Sequence, residues 1–125
     1  MNKEQAQKLL QTYGRAWMTQ DPDLILTVFT PDATYRDPSA PELNGHTAIR
    51  SYWTNKVVGE QKDISFKLLN VWVNDDTVIA EWKADFIDTK RNLKIDMTEV
   101  AILTVKDGKF SSLREYYKDV KTPLA

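Results

Sequence analysis

Apolar side chains at Ala6, Leu9, Leu10, Tyr13 and Trp17 recur at the i, i+3, i+4, i+7 spacing of an amphipathic helix. That pattern predicts a first helix over residues 3 to about 19. Gly14 inside it costs roughly 1 kcal/mol against Ala, so a bulky partner is expected to cross close to its backbone. Asp21-Pro22 is a start signal, with Asp as N-cap and Pro at the first helical position. A short second helix should follow, with Leu24, Ile25, Val28 and Phe29 on one face and Pro31 as its end. Ala33-Thr34-Tyr35-Arg36-Asp37 then reads as a short strand. A residue before proline is pushed out of the helical region. Asp37, before Pro38, should therefore be extended at the strand's end, where its carboxylate can point into a cavity. Pro38 to Gly45 has loop composition. A third helix is expected from His46-Thr47 to about Val58, with Ile49, Tyr52, Trp53 and Val57 as its apolar stripe and Gly59 as its stop.

The second half changes period. Ile64, Phe66, Leu68, Asn70 and Trp72 alternate, and so do Val78, Ala80, Trp82, Ala84 and Phe86. Asn74-Asp75-Asp76 turns the chain between them, and a turn at Asp88 to Asn92 leads to a long strand from Leu93 to Val105. Lys106-Asp107-Gly108 is a hairpin turn, and a last strand runs from Phe110 to about Asp119, leaving a loose tail from Lys121. Helices segregated from a meander of strands make an α+β fold with a curved antiparallel sheet. The opposite strand faces, with Leu69, Val71 and Val73 on one and Val100 and Ile102 on another, are too apolar for water. A second copy of the chain is the expected cover.

At 125 residues and 14.4 kDa the chain reads as one domain, 1–125, with an ordered core of about 3–120. A net charge of -1 argues against general nucleic-acid binding. There is no cysteine, which removes disulfides, thiolate catalysis and cysteine zinc sites. His46 is the one histidine and is expected to be exposed. The start has no apolar signal segment and no stretch is long enough to span a bilayer, so a cytoplasmic protein is expected. Asp75-Asp76 and Asp88 are too scattered for a calcium loop.

Three stretches carry a family resemblance: Tyr13 with Trp17 and Asp21; Phe29 to Pro38; and Gly45 followed by Ala48-Ile49 and Tyr52. With the last strand's Leu113-Arg114-Glu115-Tyr116-Tyr117, they resemble the nuclear transport factor 2-like superfamily, most of all its SnoaL-like and ketosteroid-isomerase branches. The resemblance implies a cone, a sheet wrapped on N-terminal helices around an internal pocket (a cystatin-like α+β barrel). It also implies homodimers through the outer sheet face, and no cofactor or metal. That fold hosts isomerases, cyclases, dehydratases, epoxide hydrolases and non-catalytic modules.

By that resemblance Asp37 stands where the isomerase has its general base, and Tyr13 where it has a hydrogen-bond donor to the substrate oxygen. Ala101 occupies the position of the isomerase's second, acidic donor. Glu99 lies two residues away on the same strand face. A plainer role for Asp37 is to cap the following loop, and for Tyr13 to be a bonded core tyrosine. The hairpin fixes the rest. A three-residue Lys106-Asp107-Gly108 loop would set Glu99 opposite Glu115, Ala101 opposite Leu113 and Met97 opposite Tyr117. Two facing carboxyls would then share a proton. A two-residue Asp107-Gly108 loop would put the glutamates on opposite faces. In either case one or both could instead meet Arg or Lys, or reach solvent at the rim. Trp17, Tyr35, Tyr52 and Trp53, with Met97, Ala101, Leu113, Glu115 and Tyr117, are expected around the pocket, a lining for a small apolar or carbonyl-containing molecule. The expected chemistry is cofactor-free proton transfer of isomerase or cyclase type. The alternatives are a ligand-binding module without turnover and an interaction module whose pocket is filled by its own aromatics.

Overall fold

The computed structural model describes all 125 residues. Helix α1 spans Lys3–Met18. Its start is a capping box: Asn2 Oδ1 accepts from Gln5 N at 2.8 Å, and Gln5 Oε1 accepts from Asn2 N at 3.0 Å. Ala6, Leu10, Tyr13, Ala16 and Trp17 are buried on it. Gly14 has the close partner expected of it, since a Cβ there would sit 2.2 Å from Phe66 Cδ1.

Helix α2 is Pro22–Leu26, capped by Asp21 Oδ1, which accepts from Asp23 N and Leu24 N. It is shorter than expected. Val28 and Phe29 are buried, but Phe29 already opens strand β1, Phe29–Arg36. Pro31 therefore lies within the strand, near the irregularity between Phe29 and Thr34, rather than ending a helix. A two-residue strand β2, Leu43–Asn44, stands in the expected loop and pairs with β1. Helix α3, Gly45–Tyr52, continues into a π-helical segment, Trp53–Val58. His46 is half-buried, its Nε2 3.0 Å from the Phe29 carbonyl oxygen, not free in solvent as expected.

Strands β3 (Gln61–Asn74), β4 (Thr77–Asp88), β5 (Leu93–Lys106) and β6 (Lys109–Pro123) follow. The sheet order is β2-β1-β6-β5-β4-β3. It is mixed, because β1 runs parallel to β6 while the other neighbours are antiparallel. It does not close, and β2 and β3 are its edges. The tail expected to be loose is strand as far as Pro123, which pairs with Leu93. No helix is long and apolar enough to cross a membrane.

Two bulges decide which residues face inward. In β3 the register slips between Leu68 and Asn70, so Leu69 is an extra residue. Phe66 and Leu68 pack on the core before it, and Val71 and Val73 after it. Val71 and Val73 are thus core residues, not outer ones as expected, and Trp72 faces out. In β6 a two-residue Asp107-Gly108 loop pairs Lys106 with Lys109, then the register slips between Thr104 and Val105. Thr104 pairs with Ser112, Ala101 with Glu115 and Glu99 with Tyr117. The inserted Ser111 returns Glu99 and Glu115 to one face, as diagonal neighbours rather than the direct pair a three-residue loop would give.

Candidate functional site

Two small cavities that share lining residues lie between the concave side of the sheet and the helices. The inner one, about 50 Å³, is lined by Tyr13, Trp17, Tyr35, Asp37, Tyr52, Trp53, Val57, Gln61, Phe86, Met97, Glu99 and Glu115. An outer one, about 100 Å³, shares Asp37, Tyr52, Gln61, Phe86 and Met97 and adds Tyr117, Ser39, Lys56, Glu60, Asp88 and Arg91 among others. Ala101 and Leu113 are wholly buried and line neither chamber. Their neighbours on the same strand face reach the cavity because they lie farther from the Asp107-Gly108 turn. Phe86 and Gln61 were not singled out from the sequence. Phe86 sits on the inward face of β4 that the alternation marks, whereas nothing in the sequence points to Gln61.

The hydrogen-bonded centre of the site is Glu115. Its Oε1 accepts from Tyr13 Oη at 3.0 Å and from Tyr35 Oη at 3.2 Å, and the two phenol oxygens lie 3.3 Å apart. Tyr13 comes from α1, Tyr35 from β1 and Glu115 from β6, so three elements meet at one carboxylate oxygen. The Tyr13 ring is fixed by Trp17, Trp53, Phe66 and Trp82, with centroids 5.3–6.4 Å away. Glu99, from β5, is 2% exposed and interacts carboxyl to carboxyl with Glu115. Its Oε2 has no hydrogen-bond partner. The buried indole N–H groups of Trp53 and Trp82 also lack partners.

Asp37 joins the chambers. Its Oδ1 accepts from Ser39 N at 2.8 Å and Ser39 Oγ at 2.7 Å, so it does cap the loop. It also accepts from Tyr117 Oη at 3.0 Å on Oδ1 and from Tyr52 Oη at 3.3 Å on Oδ2. The capping and cavity-lining roles coexist. Gln61 is oriented by Trp17, whose Nε1 donates to its Oε1 at 2.8 Å.

No basic side chain lines the inner chamber, and the proton affinities follow from that. Burial, together with the nearby Asp37 charge, pushes the Glu115 carboxyl up to about 7, although Glu99, Tyr13 and Tyr35 hydrogen bonds pull it down. Burial and the Glu115 charge push Glu99 well above the carboxylate range. Trp82 Nε1 lies near enough to offset a little of that without reaching hydrogen-bond geometry. Burial first, then the adjacent carboxylates, raise Tyr13, Tyr35 and Tyr52, so all three are neutral donors at physiological pH. Both carboxyls of the pair therefore hold a proton more readily than an ordinary carboxylate does.

A model of the SnoaL-like domain matches residues 10–113. The chain belongs to the SnoaL-like domain family. No curated protein matches it. Among solved structures, this SnoaL-like chain resembles a candidate isomerase from Bacillus subtilis, with 23% identity, TM-score 0.82, and 94% of this chain and 90% of that one covered. It also resembles an epoxide hydrolase/cyclase-like enzyme, SalBIII, of pyran ring formation in the polyether salinomycin. There the identity is 25% and the TM-score 0.76, with coverage of 94% and 95%. An LEH-like epoxide hydrolase of M. tuberculosis is 16% identical with TM-score 0.76, over 92% and 84%. These likenesses support the cone expected from the sequence. The SnoaL-like cone here is formed by an open, mixed sheet.

Proposed function

We propose that this SnoaL-like protein carries out cofactor-free acid–base chemistry on a small molecule held between Asp37 and the Glu99–Glu115 pair. The observation that carries this reading is the pair itself: two buried carboxyls of raised proton affinity in an aromatic-walled chamber whose lining holds no lysine, arginine or histidine. Such a pair is suited to donate and recover a proton near pH 7. Asp37 is the base, bonded by two phenols yet open to both chambers. It takes a proton from the carbon between the carbonyl and a C=C bond while Glu99 protonates the oxygen to give a dienol; the Asp37 proton then goes to the far carbon of that system as Glu99 takes the oxygen's proton back, which completes an isomerisation and restores both acids. Tyr13 is a positioning residue that acts through Glu115, since its hydroxyl is spent on that carboxylate.

The test is hydrogen–deuterium exchange at carbon, followed by NMR in D₂O, on a panel of small ketones. Exchange is expected in the wild type and should fall by about 10²–10⁴-fold in Asp37→Asn and in Glu99→Gln. Equal exchange in all three proteins would remove the proposed roles. The small inner chamber favours one second reading, a module that binds without turnover. Saturable binding with no exchange would decide for it.

We also propose that a second copy of the chain covers the outer sheet face. Trp72, Val100, Tyr116 and Val120 lie exposed there, Trp72 at 53% and Val120 at 58%. Val100 pairs with Tyr116 across the strands. Several large apolar side chains exposed on one sheet face mark an interaction surface.

A further inference from the structure

The inner chamber is electrically one-sided. Asp37, Glu99 and Glu115 line it, and no lysine, arginine or histidine does. Buried carboxyl groups are normally paired with a cation or fully hydrogen-bonded. Glu115 receives two phenol hydroxyls on Oε1. Glu99, 2% exposed, faces the same chamber with Oε2 unpartnered. The rest of the wall is largely aromatic, with Trp17, Tyr35, Tyr52, Trp53 and Phe86 around the acids. An anion would meet carboxyls on several sides. A neutral ligand would leave them without a counter-charge. A positively charged N–H donor supplies both missing features, a hydrogen bond to the bare oxygen and a charge for the pair, and aromatic faces attract it further.

From this lining we infer that the inner chamber binds the charged head of a compact organic ammonium, with Glu115 as its anionic partner, the bare Oε2 of Glu99 as a hydrogen-bond acceptor and the aromatic rings as its walls. The inference rests on the reading of this chamber as the functional site, and adds the class of ligand. Size limits that class. Chambers of about 50 and 100 Å³ fall well below the roughly 300–1,000 Å³ of pockets for drug-sized ligands. The ligand has a few carbons, with its apolar part against Met97 and Phe86 and short of the Lys56, Glu60, Asp88 and Arg91 charges that line the outer chamber.

Charge binding is linked to proton release. The titratable groups facing Glu115 are Tyr13 from α1, Tyr35 and Asp37 from β1 and its end, Tyr52 from α3, and Glu99 from β5. The phenols stay neutral through this range, so the carboxyls give up the proton. With Glu115 near 7, its ionised fraction climbs between pH 6 and 8, and affinity for an ammonium should climb roughly tenfold with it.

Isothermal titration calorimetry with isobutylamine, isobutanol and isobutyrate at pH 6, 7 and 8 tests this. Runs in two buffers of different ionisation enthalpy count the protons released. The amine is expected to bind at least tenfold more tightly than the alcohol, isobutyrate not to bind, and proton release to accompany the amine. Glu115→Gln should weaken the amine at least tenfold and flatten its pH dependence. Asp37→Asn, which removes a charge that helps raise Glu115, should weaken it and move the rise in affinity to lower pH while keeping the rise itself. Alcohol and amine of equal affinity, an amine affinity indifferent to pH, or no amine binding would each overturn the inference. Ketone exchange persisting beside equal alcohol and amine binding would sink the ammonium and leave the acid–base reading standing. Amine binding as expected with no ketone exchanging would do the reverse.

Discussion

Glu115 should make stability fall as pH rises. Its carboxyl titrates near 7 in the folded protein against 4.5 as the ordinary value. Between those two the folded state holds the extra proton, so raising the pH favours unfolding. The stabilisation is complete below about 4.5 and lost once pH passes 7, a change on the order of 3 kcal/mol for this one group. Urea unfolding at pH 5 and pH 8 is expected to show the wild type losing stability over that range by more than Glu115→Gln does. The variant should be the more stable of the two at pH 8. Equal pH slopes would show that burial does not hold the carboxyl neutral. How far this residue was legible depends on one insertion. Alternation along β5 and β6 placed Glu99 and Glu115 each on a definite face of its own strand. Whether those faces coincide is set by the hairpin. The Asp107-Gly108 loop alone sends them apart, and Ser111 brings them together. A bulge leaves no mark in hydrophobic periodicity here, because Ser111 and Ser112 are both small and polar. Asp37 was more legible, since the proline after it restricts the backbone whatever the tertiary context.

At the scale of elements, Gly14 is the tightest crossing. A methyl group there would gain about 1 kcal/mol of helix propensity. It would also overlap the Phe66 ring, which is held against Tyr13, Trp17 and Trp82 and has little room to swing. Gly14→Ala should therefore cost about 1–3 kcal/mol net in urea unfolding. Gly14→Ala combined with Phe66→Leu should recover part of that loss. A stabilised single variant would contradict the packing described. Helix α1 was readable because its stripe is long and its cap is explicit. Pro31 misled because proline ends helices more often than it sits in a strand, and only the irregular pairing near the start of β1 accommodates it. Two-residue β2 is too short to carry a period, and its pairing with β1 is a tertiary event. Beyond Asp119 the residues alternate weakly, and it is pairing with Leu93 to Asp96 that makes them strand.

The outer face belongs to the whole molecule. Sedimentation velocity at micromolar concentration is expected to give a dimer, and Tyr116→Asp or Val100→Asp should shift it to the monomer without loss of far-UV circular dichroism. A wild-type monomer across that range would remove the second copy. The α+β class and the antiparallel run β3 to β6 followed from sequential strands with tight turns. The parallel partnership of β1 and β6 did not, because strands nearly eighty residues apart leave no local signature of which edge they join.

That partnership also sets an order of assembly. β6 is last of the six strands along the chain, yet it lies between β1 and β5 in the sheet. Tyr13 meets Glu115 across 102 positions and Tyr35 meets it across 80. A nascent chain whose β6 is still inside the ribosome can form the β3–β4–β5 meander and the helices. It cannot seat β1 or build the carboxylate centre. The carboxylate centre is complete only once β6 lies between β1 and β5. Loop closures of that span are slow. On a ribosome, protease resistance of the helices should arrive with β6 rather than with the helices themselves.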